Sequence, residues 1–101
     1  MASRLQLHEK LCELLGTRNV YFQPPASVKM QYPAIVYSLN GIDNDPANDK
    51  VYKQSRSYEV ILIDKNPDTE FLGPLSALPM CRFDRYYTAD NLNHYVFTLY
   101  F

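Results

Sequence analysis

Tryptophan is absent from these 101 residues, glycine occurs three times and cysteine twice. Three glycines are too few for the backbone cradle of a phosphate-binding loop, and no P-loop, dinucleotide fingerprint, GxSxG elbow or HExxH pair occurs. Cys12 and Cys81 stand 69 positions apart, with no CxxC and no Cys–His ligand spacing. They could pair if close in space, but they read as two free, buried thiols in a reducing compartment. Neither sign of charge dominates: 10 Lys plus Arg face 11 Asp plus Glu, for a net −1, whereas a general nucleic-acid binder would show a basic excess. The apolar runs are a few residues long, far below the ~20 of a transmembrane helix. MASRLQLHEK at the start lacks the apolar h-region of a signal peptide.

Two further absences concern chemistry. The stretch DNDPAND (43–49) has the spaced oxygens of a calcium loop, yet the sixth and twelfth positions counted from Asp43 are Asn48 and Gln54, where an EF-hand needs Gly and Glu. It reads as a solvated turn. His8 falls on the apolar stripe of a helix, as a rim or core histidine does. His94 is placed to approach Asp84 or Asp90 across a hairpin, without a nucleophile beside it. No metal, no cofactor and no enzymatic activity are expected.

Aromatic residues are what the chain has in quantity: nine Tyr and five Phe. Tyrosine joins an apolar body to a polar tip, which suits surfaces dry in one state and wet in another, and it is also a good strand residue.

SRLQLHEKLCELL (3–15) reads as a helix. Ser3 and Gln6 form a capping box, Leu5, His8, Leu11, Cys12, Leu14 and Leu15 make the stripe, and Gly16 ends it. NVYFQPP (19–25) is a short strand stopped by Pro24-Pro25. YPAIVYSL (32–39) is a strand with both faces apolar, hence central, broken by Asn40-Gly41. The polar stretch 42–56 reads as a long connection, followed by the strand SYEVILID (57–64). Asp68 or Thr69 caps a short or broken helix containing Gly73-Pro74. MCRFDRYY (80–87), a turn at TADN and LNHYVFTLYF (92–101) form a C-terminal hairpin. One domain over 1–101 is expected, of the α+β class, with a mostly antiparallel four- to five-stranded sheet and two helices packed on one face.

Two features point to contacts between molecules. Asp43, Asp45 and Asp49 precede Lys50, Lys53 and Arg56, with Tyr52 among them. An acidic arm followed by a basic one can pair with neighbouring copies or screen itself, and long polar connections in small domains are often functional. The final strand carries Tyr95, Phe97, Leu99 and Phe101 on one side and Leu92, His94, Val96, Thr98 and Tyr100 on the other. Neither set is built mainly for water, so something has to cover the second face. These residues are the candidates for subunit or partner contact. Aromatics on a sheet can also stack bases, but no RNP-like run accompanies them.

The stretches NVYFQPP with YPAIVYSLNGIDN, RSYEVILIDKNPDTEFLGPLSALP and MCRFDRYYTADNLNHYVFTLYF, taken in order, resemble the small tail-terminator or head–tail joining proteins of long-tailed bacteriophages over almost the whole chain. The resemblance implies a ring-forming, usually hexameric structural virion protein without covalent chemistry. Such a ring caps the tail tube at its head-proximal end, stops tube growth and docks the tail to the head connector. Its implied partners are itself, the tail-tube protein and head-connector or neck proteins, with passive contact to DNA passing through the lumen and none to a membrane. Assembly would take place in the host bacterial cytoplasm. The alternatives are another neck component, such as a head-closure or adaptor protein, and a small nucleic-acid-binding α+β module.

Overall fold

The computed structural model describes residues 4–24, 29–47 and 51–101, with the far part of one hairpin (43–47 and 51–55) described by its backbone alone. The elements are α1 (Arg4–Leu15), β1 (Val20–Phe22), β2 (Ala34–Ala47), β3 (Val51–Asp64), α2 (Leu72–Ser76), β4 (Cys81–Ala89) and β5 (Leu92–Tyr100). The strands form a single mixed sheet in the order β1-β2-β3-β5-β4. Among the described residues only the β1–β2 pair is parallel. This is the α+β fold expected, mostly antiparallel, with five strands.

Helix α1 buries Leu7, Leu11, Cys12 and Leu15. The sequence reading places Leu5 on this stripe and omits Leu7, and the structure reverses the two: Leu7 is fully buried and Leu5 is 65% exposed. Leu7 stands four residues before Leu11, whereas Leu5 stands six before it, roughly 120° around the helix. Gly16 closes the helix as expected, at φ 78°, with its N–H donating to the Cys12 carbonyl at 2.8 Å. Ser3, the other half of the capping box, lies outside the described residues.

The largest departure from the sequence reading lies at Asn40-Gly41. These residues do not break the strand. A bulge between Leu39 and Gly41 absorbs one residue and β2 continues to Ala47, paired with β3 from Ile42↔Arg56 to Ala47↔Val51. The polar connection is therefore an arm of two strands. Asp, Asn and Pro have poor strand propensity, which hides the arm from a sequence reading. Pro46 is tolerated because, among the described residues, no strand lies beyond it to receive a hydrogen bond. The arm lengthens the molecule to 51 Å and raises its radius of gyration to 14.7 Å, against about 13 Å for a compact chain of this length.

Helix α2 is short, as Gly73-Pro74 requires, but neither Asp68 nor Thr69 caps it. Its N-cap is Phe71, which makes no side-chain capping bond. Asp64 accepts from the Asn66 N–H at 3.0 Å, Asn66 accepts from the Asp68 N–H at 2.9 Å, and Thr69 accepts from the Phe71 N–H at 3.4 Å. These polar residues fold the approach to the helix into successive turns. The β4–β5 hairpin turns on Asp90 and Asn91, both with positive φ (53° and 61°), as a two-residue type I′ connection requires.

One core lies between the helices and one face of the sheet. It comprises the buried face of α1, Leu75 of α2, and Val20, Ile35, Tyr37, Tyr58, Val60, Leu62, Tyr95, Phe97 and Leu99 from the strands. Both helices pack on this face. Tyr37 is fully buried, with His8 Nδ1 2.8 Å from its hydroxyl oxygen, and Tyr95 donates its hydroxyl to the Pro67 carbonyl at 2.7 Å. Burial raises the Tyr37 pKa above the ordinary 10.0, against the opposing pull of Arg4. Burial, then Tyr86, Asp64 and Asp68, raises that of Tyr95, and burial raises that of the Cys81 thiol above 9.0. A proton held more tightly by the folded chain stabilises it below the unfolded pKa and ceases to do so as pH climbs through the folded one. The melting temperature is therefore expected to hold between pH 7 and about 8 and to fall as pH rises past about 9 to 10. A melt series flat to pH 11 would contradict this.

Candidate assembly surface

On the face opposite the helices, alternation along the strands brings together Tyr21 of β1, Val36 and Ser38 of β2, Glu59, Ile61 and Ile63 of β3, and His94, Val96, Thr98 and Tyr100 of β5. Arg82, Arg85 and Tyr87 of β4 complete it. Among the described residues no helix lies on this face, since the buried side chains of both α1 and α2 belong to the core on the other side. Val36, Ile61, Thr98 and Tyr100 are half-buried. Val96, between its cross-strand neighbours Ile61 and Arg85, is fully buried although no helix covers it. The face is a low apolar floor rimmed by charge. Arg85 is bound to Asp84 at 2.8 Å and lies 4.0 Å from Glu59.

The candidates named from sequence separate into three groups. Tyr95, Phe97 and Leu99 are buried in the protomer's own core, so they support the sheet from beneath and leave outward contact to their alternates. Phe101 packs half-buried against that core, its N–H donating to the Arg56 carbonyl at 3.1 Å. Asp43, Asp45, Tyr52 and Lys53 lie in the arm, with Asp43 paired to Ser55, Asp45 to Lys53 and Pro46 to Tyr52. The register thus sets an acidic strand beside a basic one. Arg56, at the arm's base, is half-buried, and its Nε has no hydrogen-bond partner among the described residues. Asp49 and Lys50 lie outside the described residues.

Other sequence readings resolve plainly. His94 approaches neither Asp84 nor Asp90. It stacks on Tyr87, ring centroids 4.6 Å apart and 15° from parallel, with Nδ1 3.1 Å from the Leu92 carbonyl oxygen. The two cysteines are free, Cys12 buried and Cys81 half-buried. Among the described residues no cluster of His, Cys, Asp or Glu could hold a metal, and no helix is long and apolar enough to cross a membrane.

Two features escape the sequence reading. On the helix-bearing face, between α2 and the edge strand β4, lies an open groove of about 300 Å³ lined by Leu72, Ser76, Phe83, Tyr86, Tyr95 and Phe97. Phe83 and Tyr86 are 51% and 48% exposed there. They stand three apart and still share a face because a bulge between Phe83 and Arg85 shifts the alternation. The second is Asn93, buried at the rim of the groove. Its amide donates to the carbonyls of Asp64 (3.1 Å) and Lys65 (3.3 Å), and its Oδ1 accepts from the Tyr86 hydroxyl at 2.6 Å. Compared with protein-family models, with curated proteins and with solved structures, the chain matches none of them.

Proposed function

We propose that this chain is a structural virion protein. Copies of it form a ring at the head-proximal end of a long phage tail, stop tube growth and join the tail to the head connector. The observation that carries the reading is the sheet face on which, among the described residues, no helix of the protomer lies, where Val36, Ile61 and Tyr100 stay half-buried around the already buried Ile63 and Val96. The mechanism is occupancy. A surface matching the tube subunit seats on the last tube ring, while a different surface above it offers no site for further addition. Two neighbouring roles, head closure and adaptor, use the same surfaces.

The test places a charge in the floor. Ile61→Glu, half-buried on the open face, is expected to leave the monomer folded and to abolish ring formation on tube ends, seen by electron microscopy and sedimentation with tail-tube subunits. Tubes capped as well by the variant as by the unaltered protein would sink the reading. A second reading, a nucleic-acid-binding module, draws on the Tyr87–His94 stack beside Arg82 and Arg85. Micromolar, salt-sensitive binding of single strands would favour it.

A further inference from the structure

We infer that copies of this chain associate head to tail by edge pairing, the outer edge of the β2 arm of one adding as a strand to the β4 edge of the next. The inference deepens the ring reading above and rests on it for closure. Among the described residues the sheet has a free edge on each side. β1 covers β2 only at Ile35, Val36 and Tyr37, and Gln23 Oε1 takes the Leu39 N–H at 3.3 Å. From residue 40 to 47 the outer side of β2 is open among the described residues, with Pro46 offering no N–H there. Also open is the outer side of β4 from Cys81 to Ala89. The two open stretches are eight and nine residues long.

They also match in kind. Each carries a bulge flanked by exposed apolar residues: Leu39 (43%) and Ile42 (46%) on β2, Phe83 (51%) and Tyr86 (48%) on β4. All four project on the helix-bearing side. Leu39 is opposite Tyr58 and Ile42 opposite Arg56, two residues back along β3, while Phe83 and Tyr86 are opposite Phe97 and Tyr95. A strand added to β4 would extend the floor of the apolar groove that Phe83 and Tyr86 line.

Charge selects which edge meets which. The β2 stretch holds Asp43 and Asp45 with no cation, and the β4 stretch holds Arg82 and Arg85 against Asp84. Aligned antiparallel about their central charges, two β4 edges would set Arg85 opposite Arg85, and two β2 arms would set Asp43 opposite Asp43. The mixed alignment instead sets Asp43 opposite Arg85 and Ile42 opposite Tyr86. Like charges directly opposite destabilise a strand pair and unlike charges stabilise it. The mixed contact uses two different surfaces, which is the heterologous geometry of a ring and not the isologous one of a two-fold dimer. Within a protomer β2 and β4 run antiparallel, so a symmetry axis along the strands brings them together in that sense.

Sedimentation equilibrium over a concentration series, with and without tail-tube subunits, tests this with three samples: Asp43→Lys, Arg85→Glu and their equimolar mixture. Thermal melts first establish that both variants are folded. Each variant alone sets like charges across the contact and is expected to associate on the order of tenfold more weakly than the unaltered chain. The mixture is expected to recover, because each altered edge then meets a complementary one. Association indifferent to both substitutions, or a mixture no stronger than its parts, overturns edge pairing and leaves the ring reading standing. An unaltered chain that stays monomeric at every concentration, with tube subunits and without, overturns both.

Discussion

Replacing Phe97 by alanine is expected to destabilise the fold by about 3 to 5 kcal/mol. The side chain is fully buried. It lies on β5, an interior strand, opposite Val60 of β3 on one side and Phe83 of β4 on the other. The Phe83 ring meets it edge-on, centroids 5.5 Å apart at 74°, an arrangement that contributes beyond the area it buries. Truncation opens a cavity beneath α2 that a sheet paired on both sides cannot collapse into. A domain of this size has only about 5 to 15 kcal/mol in total. The loss should therefore appear as a melting temperature lower by some 15 °C or more, with the urea midpoint shifted and its slope unchanged. A change below 1 kcal/mol would mean that the groove side of Phe97 is already as loose as solvent.

The second large effect concerns Asn93. Alanine there removes three hydrogen bonds at once and leaves the Asp64 and Lys65 carbonyls and the Tyr86 hydroxyl without this partner. A buried acceptor left unpaired costs about 1 to 3 kcal/mol. The expected loss is about 2 to 4 kcal/mol, measured by urea unfolding, while Tyr86→Phe, which removes a single bond, should cost about 1. Equal effects from the two variants would show that the Tyr86 bond alone matters and that the two amide bonds contribute nothing. The amide ties the end of β3 to β5 as the chain leaves the sheet for α2, so it fixes where that excursion begins.

The parts legible in the sequence are those where local chemistry and tertiary packing agree. Gly16 ends α1 because the left-handed C′ position favours it, and the Asp90-Asn91 pair turns the last hairpin because both residues tolerate positive φ. The alternation of β5 is legible too, but not that Tyr95, Phe97 and Leu99 are the set that faces the core. Legibility fails where an extra residue enters a strand. The bulge at Asn40 disguises β2 as ending at Leu39, and the bulge at Asp84 disguises Phe83 and Tyr86 as lying on opposite faces. Period-two reasoning cannot survive an inserted residue. Asn93 gave no signal, because nothing in its neighbours announces that its amide meets carbonyls 28 and 29 positions earlier.

The arm has a consequence for how such a chain can vary. β5 leaves β3 at the Ser57–Tyr100 pair, so beyond that point the two arm strands are paired with each other alone among the described residues. Adding or removing one residue on each strand changes the reach by about 3.4 Å and turns every outlying side chain to the other face. Two on each strand restore the faces at a step of about 7 Å. The arm is a ruler graduated in units of two, and its length can be reset without moving an atom of the core.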